Sequence, residues 1–460
     1  MSFVRVPPDG VGKKLYTEQH TIGPDDVHGQ VMHIADVTEP TQTWQIDAYG
    51  AGKIGFAEGA PSLDAFGNLR VSDAHILGGY EHTSNAQDDL YHTETVSGGT
   101  VTYNPNAASI KLAVTSANGS RVTRTTNRYH YYQPGVGMLI IMTVQHGDTG
   151  KAGNERRWGY FDDENGVYWE LHNQYMSLHM RSNVGGSVVE ASTHQDSWNG
   201  DRLDGTGLSG MVIDPTKANF YWIDFAWLGV GTVRFGVLSP DGSRIVCHTC
   251  HNPNANTTAY MATANLPVRF ENANDALTSG SSEMNIICAA VYSEASPNYT
   301  FWRYADIEVT TKTITTDTPV ISARAAQTID AGSPATVVNR VNTFPETLSV
   351  YVNGGDAKIT LWFSPQLTGA TWTIANGTTL EGDNAATALT AGPDGYAAMT
   401  WYLGAGSHNI DLTPFFELND EGIMLSADGV TQPVVTFAGT KLSGGGAVTV
   451  SATLTYRELR

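Results

Sequence analysis

A chain of 460 residues, 41% hydrophobic and only 16% charged, has ample material for a core, and its composition is not that of a disordered polymer. Its 26 Lys and Arg against 46 Asp and Glu leave a formal charge of −20, which opposes phosphate backbones and anionic membrane surfaces and so excludes nucleic acid as the partner of its bulk. Three cysteines in so long a chain are no disulfide framework, and no apolar run approaches the ~18–20 residues of a membrane helix.

The first sixty residues show no sustained period. They carry Pro7 and Pro8 in succession, and Arg5, Lys13 and Lys14 against a single Asp9 in the first sixteen positions. This slightly basic start to an acidic chain reads either as an extended arm over residues 1–60 that lies on a neighbouring subunit or as a merely flexible terminus. The opening MSFVRVPPDGVGKK has no apolar h-region, so no signal peptide is expected, and the sparse cysteines suggest folding in a reducing cytoplasm.

From residue 61 to 312 strand signals follow one another without helical periodicity. Met138 to His146 is an apolar run bounded by glycines, and Val167 to Leu171 and Tyr175 to Met180 flank the turn His172-Asn173-Gln174. Phe220 to Leu228 and Val230 to Leu238 break at Gly229, and Ser239-Pro240-Asp241-Gly242 turns into Arg244 to Thr249. Met284 to Tyr292 and Tyr299 to Val309 close the region. This pattern predicts an all-β fold: a concanavalin-like jelly-roll sandwich of two antiparallel sheets. The Thr-rich stretch Thr310 to Thr318, ending at Pro319, reads as a domain boundary. Beyond it, strands at Leu348 to Val352, Lys358 to Phe363, Thr371 to Ala375, Ala397 to Leu403, Val434 to Phe437 and Ala447 to Tyr456 predict a second, smaller β-sandwich over 319–460.

Candidate chemistry is sparse. Cys247-His248-Thr249-Cys250-His251 has metal-ligand residue types, but on a strand Cys247, Thr249 and His251 face one way while His248 and Cys250 face the other. Only Cys288 is left to complete a set, so neither a metal nor a cofactor is expected. Asp162-Asp163-Glu164-Asn165-Gly166 offers oxygens to Ca²⁺, yet reads more simply as a hairpin loop. Glu170 and Glu190 are the remaining carboxylates for a glycosidase-type pair, and the E-x-D-x-x-E strand of concanavalin-like glycosidases is absent. No nucleophile elbow, P-loop or HExxH motif occurs, so no catalytic residue is assigned and the chain is expected not to be an enzyme. Aromatic side chains are plentiful; most are expected in the core, and Trp158 and Tyr160 are the candidates for stacking on a glycan.

Several phrases carry a resemblance. Leu63 to Ser72 (LDAFGNLRVS) is similar to the "FDAFGRLRVS" wording of a family of virion structural proteins of tailed bacteriophages, with Leu63 and Asn68 departing from it. YYQPG (Tyr131 to Gly135), RRWGYFDDENGVYWE (Arg156 to Glu170), WNGDRLDG (Trp198 to Gly205), IDFAWLGVGTVRFG (Ile223 to Gly236) and NLPVRF (Asn265 to Phe270) follow in family-like order. VPPDGVGKK (Val6 to Lys14) is a weaker likeness. The resemblance spans about residues 60 to 300 and leaves the region beyond 310 unmatched. It implies a peripheral fibre-like or decoration component of a head or tail, assembled in the bacterial cytoplasm, held by its N-terminal arm and packed as a homotrimer against other phage proteins. The alternative is a module recognising host glycan, and less so a polysaccharide depolymerase.

Overall fold

Alternation of apolar and polar residues along successive short segments folds this chain into two stacked pairs of antiparallel sheets. The computed structural model describes residues 74–295, 302–330, 336–375, 378–416, 422–443 and 445–459, together with strand backbone at 2–5, 14–22, 25–30, 45–46 and 52–53. In the N-terminal unit, Ser2–Arg5, Lys14–Ile22 and Asp25–Gln30 pair antiparallel, with Arg5 in register with Lys14. Pro7, Pro8, Lys13 and the phrase from Leu63 to Ser72 lie outside the described residues.

The first sandwich pairs a seven-stranded with an eight-stranded sheet. Across the seven-stranded sheet the order is Val189–His194, Tyr175–Ser182, Gly166–His172, Asn154–Phe161, Val268–Asn274, Arg121–Thr126 and Tyr91–Val96. Met138–His146 lies inside the opposing sheet between Asn219–Phe225 and Ser282–Ser293. The expected jelly roll is therefore present, although the strand expected to close it near Val309 runs as Trp302–Ile314 in a separate four-stranded sheet. The hairpin Gly166–His172/Tyr175–Ser182 turns on Asn173 and Gln174, whose φ values of 51° and 74° suit the two-residue turn that follows the twist of its strands.

Inward-facing side chains of the two sheets meet in one core. Trp158, Trp169 and Tyr221 are fully buried, with ring centroids 5.0–6.4 Å apart. Each large apolar side chain so buried contributes about 1.5–3 kcal/mol. Trp158 and Tyr160, the expected glycan contacts, are both 0% exposed and belong to this core. The reason is the strand period: Asn154, Arg156, Trp158 and Tyr160 fall on the inward face of Asn154–Phe161.

One end of the sandwich is closed by polar groups. The Asn154 amide donates to Asn272 Oδ1 (2.9 Å) and Asn274 Oδ1 (3.0 Å), and the Asn272 amide donates to the Leu112 and Ser282 carbonyls of the opposing sheet (3.1 Å each). Arg156 Nε donates to Asn154 Oδ1 (2.8 Å), and its Nη2 to Asp148 (2.6 Å). Buried amides of this kind are costly unless paired, so the network favours this one arrangement of the two sheets.

The second sandwich stacks Trp302–Ile314, Val448–Leu459, Asn342–Asn353 and Gly406–Asp411 on a six-stranded sheet centred on Thr318–Ala325, Val434–Lys441 and Ala357–Phe363. Its core contains Ile307, Val309 and Ile314. The Thr-rich stretch thus begins within a strand of the second sandwich and does not mark the boundary: the last strand of the first sandwich ends at Ser293 and the next begins at Trp302. Threonine is β-branched and favours strands, which composition alone disguised as a polar hinge. The two sandwiches touch where the Asn342 amide donates to the Tyr129 carbonyl (3.0 Å) and the Arg340 guanidinium lies 4.0 Å from the Tyr129 ring centroid.

Two tests follow from the core. Asn272→Ala strands the partners of its amide and should cost about 3 kcal/mol in urea unfolding. His146 is wholly buried against Trp158, with neither ring nitrogen hydrogen-bonded, and burial followed by the Arg156 charge lowers its pKa from 6.5 to about 3. Because the folded value lies below the unfolded one, the unfolded chain takes up the proton first as pH falls. Stability is then lost from about pH 6.5 downward, on the order of 2 kcal/mol by pH 4.5 from this group. His146→Phe should flatten that slope in thermal melts at pH 4.5 and 7.

Candidate functional site

The outward face of the seven-stranded sheet carries the densest array of charged side chains in the described residues. Two rows of side chains run across it, set by strand register. In one, His194, Ser177, Glu170, Arg157, Glu271, Thr123 and Glu94 occupy successive strands. The next contains Ser192, His179, Tyr168, Gly159, Arg269, Thr125 and His92.

Arg157 is the hub. It pairs with Glu155 (2.6 Å), Glu170 (2.7 Å) and Glu271 (3.4 Å). Arg269 bridges Glu271 (2.8 Å) and Asp163 (2.7 Å), and Arg181 pairs with Glu190 (2.6 Å). Beneath them lie the rings of Phe161 and Tyr168, both fully buried, with the Arg181 and Arg269 guanidinium carbons 5.5 and 5.4 Å from the Phe161 centroid. Guanidinium over an aromatic face keeps its in-plane donors free to reach carboxylates at its edge. Gly159 is required here: a Cβ would come within 2.5 Å of Tyr168 Cα.

His179 sits between two carboxylates, its Nε2 3.1 Å from Glu170 and its Nδ1 3.6 Å from Glu190. Burial would lower the imidazole pKa, but the hydrogen bonds and charges of Glu170 and Glu190 outweigh it and raise it above 6.5. Burial likewise opposes ionisation of Glu170, yet His179 and Arg157 hold it down to about 2. The His179 hydrogen bond holds Glu190 lower still, with Arg181 assisting. These two carboxylates therefore stay ionised at neutral pH, the state of a hydrogen-bond acceptor and not of a general acid.

Arg121, Arg157, Arg181, Arg269, Asp163, Glu190, Glu271 and Val188 line a shallow cleft of about 240 Å³. Its donors and acceptors are fixed by mutual pairing, so it offers directional hydrogen bonds to a polar ligand. The Asp162–Gly166 loop borders it, and several of its oxygens are engaged within the protein. Asp162 Oδ1 accepts the Glu164 and Asn165 N–H groups (2.8 Å each), Asp163 pairs with Arg269, and Asn165 Oδ1 accepts the Ala262 N–H (2.8 Å). Cys247 and Cys288 lie on strands four places apart in the other sheet, roughly 19 Å at ~4.8 Å per strand. They do not converge on a metal.

Of the residues singled out in sequence, Asp163, Glu170 and Glu190 belong to this face. Arg157, His179, Arg181, Arg269 and Glu271 escaped notice, because register alone brings them together from strands up to 114 positions apart.

No protein-family model matches the chain, and no curated protein sequence matches it. Among solved structures it is similar to the carbohydrate recognition domain of Emp47p, at 12% identity over 48% of this chain and 98% of that one, with a TM-score of 0.32. The legume lectin-like domain from Entamoeba histolytica matches at 8% identity over 48% and 99%, with a TM-score of 0.30. The receptor binding domain of botulinum neurotoxin C/D mosaic serotype matches at 7% over 59% and 73%, also at 0.30. Likeness at this level carries no inference about ligands. The class defined by the chain's own strand pairing is an all-β protein with a jelly-roll sandwich followed by a second β-sandwich.

Removing the hub should be severe. Arg157→Met takes the ion-pair partner from Glu155 and leaves Glu170 to His179 and Glu271 to Arg269, and should cost about 3 kcal/mol in denaturant unfolding. Glu190→Gln should bring the His179 pKa down toward or below 6.5, read by NMR titration of the imidazole.

Proposed function

We propose that this chain is a peripheral structural component of a tailed-bacteriophage particle that works by binding and not by catalysis. What supports this reading is the ordered set of phrases that resemble those of the virion family, and where those phrases fall. Arg156 to Glu170 supplies the strands Asn154–Phe161 and Gly166–His172 with the turn between them. Ile223 to Gly236 supplies Asn219–Phe225 paired with Val233–Leu238, and Asn265 to Phe270 leads into Val268–Asn274. Trp198 and Leu203 of the WNGDRLDG phrase are 3% and 1% exposed in the same core. The likeness therefore lies in fold-bearing positions, as it would in a shared building block.

The N-terminal segment is the anchor in this reading, with Arg5, Lys13 and Lys14 as its basic positions and self-association as a trimer on the particle. Two sandwiches in succession suit attachment at one end and presentation at the other. Mass spectrometry and immunogold labelling of purified particles should find the protein at stoichiometric copy number, and its absence would refute the reading. Deletion of residues 1–30 should leave a folded protein that no longer incorporates.

A second reading, recognition of host glycan, is favoured by the charged cleft. Fixed guanidinium and carboxylate pairs over buried rings match the alternating donors and acceptors of sugar hydroxyls. Binding of host-envelope polysaccharide on a glycan array should be lost in Arg181→Ala. Equal binding by that variant would remove the cleft from consideration.

A further inference from the structure

We propose that Glu155, His172 and Asp275 form a binding site for a divalent first-row transition-metal cation of the Zn²⁺ class. The site lies at the edge of the charged face and does not depend on the particle or glycan readings. Glu155 and His172 are direct cross-strand partners, so both point outward from the sheet at one level. Asp275 follows the neighbouring strand Val268–Asn274, whose Ala273 is also opposite Glu155, and its N–H donates to the Gly153 carbonyl (3.1 Å). One ligand atom from each of the three lies within 4.8 Å of the others.

The His172–Asp275 contact has the spacing of adjacent ligands. His172 Nε2 is 3.0 Å from Asp275 Oδ2. Two ligands bonded at ~2.1 Å and separated by 90–110° about a cation stand roughly 3.0–3.4 Å apart. The same nitrogen is 2.9 Å from Asn173 Nδ2, and the Asn173 Oδ1 is already engaged by the Gly153 N–H (2.7 Å). This leaves His172 with a mismatch in either state. Unprotonated, Nε2 sets an acceptor against the Asp275 carboxylate; protonated, it sets a donor against the Asn173 amide. A cation relieves the clash with Asp275 by drawing lone pairs from both groups, and takes over the one the Asn173 amide contacts.

Charge points the same way. Glu155 shares Arg157 with Glu170 and Glu271, and Asp275 pairs with His172, so this corner of the face is short of positive charge. The side chains are partly exposed, at 17% for Glu155, 31% for His172 and 45% for Asp275, so an ion has a path in from solvent. One imidazole with two carboxylates suits Zn²⁺, Co²⁺ or Mn²⁺ better than Ca²⁺, which takes six to eight oxygens. Three protein ligands leave further positions to water.

The test uses the full chain freed of metal by chelator. Calorimetric titration with Zn²⁺ should show one saturable site per chain at micromolar concentration and a raised melting temperature. Co²⁺ should give visible absorption bands from nitrogen and oxygen ligation. His172→Ala and the milder, surface-exposed Asp275→Asn should each weaken binding by roughly tenfold or more while circular dichroism stays that of the parent. His248→Ala, in the Cys-His segment of the other sheet, should bind as the parent does. Absence of saturable binding, equal affinity in His172→Ala, or preference for Ca²⁺ over Zn²⁺ would each overturn the proposal.

Discussion

The two-residue period of a single strand, Asn154–Phe161, is the constraint on which most of this protein depends. Its even-numbered residues give the inward face a polar clamp (Asn154, Arg156) and an aromatic centre (Trp158, Tyr160), while its odd-numbered residues give the outward face Glu155, Arg157, the spaceless Gly159 and Phe161. A slip of one residue would place Arg157 in the apolar core and Trp158 among carboxylates. Each of those errors is costly by itself. Together they leave one acceptable register, which the partner strands Gly166–His172 and Val268–Asn274 then inherit.

The charged face is better understood as a rigid polar surface than as a source of stability. Buried ion pairs gain little over apolar packing once desolvation is counted, but removing one member leaves a stranded charge and is expensive. Arg157, shared by three carboxylates, is the extreme case, and His179 between Glu170 and Glu190 repeats the pattern one row away. The consequence for function is orientation: groups that hold one another in place meet a ligand with their geometry already set. That suits recognition, and the depressed Glu170 and Glu190 carboxyls are poorly suited to donating protons.

The fold was largely legible because strands announce themselves locally. Met138 to His146 and the hairpin around Asn173-Gln174 carried their apolar period and turn residues within a dozen positions. What failed did so for want of a third dimension. Trp158 and Tyr160 looked like sugar platforms because an aromatic side chain reads the same whether it faces core or solvent. The Thr-rich stretch looked like a domain boundary because polarity was weighed above β-branching, although Lys312 there reaches the Asn384 and Ala386 carbonyls at 2.8 and 2.6 Å. The charged face itself was hidden, since Arg157 and Glu271 are neighbours only through pairing across the sheet. No motif spacing could have shown it.

The junction between the sandwiches gives the charged face a connection to the rest of the chain. Tyr129, which accepts from Asn342 and lies under Arg340, precedes His130, whose ring and backbone bond to Leu266 just before Val268–Asn274. That strand carries Arg269 and Glu271 into the cleft, while Arg181 Nη1 donates to the Asp162 carbonyl on the adjoining turn (2.7 Å). Rotation of the second sandwich against the first would have to break the Asn342 hydrogen bond and draw Arg340 off the Tyr129 ring. Both contacts involve largely buried groups, so their loss is not repaid by water at once. A force applied to the second sandwich therefore reaches the first at Tyr129, whose neighbour His130 is bonded to Leu266, shortly before the strand bearing Arg269 and Glu271.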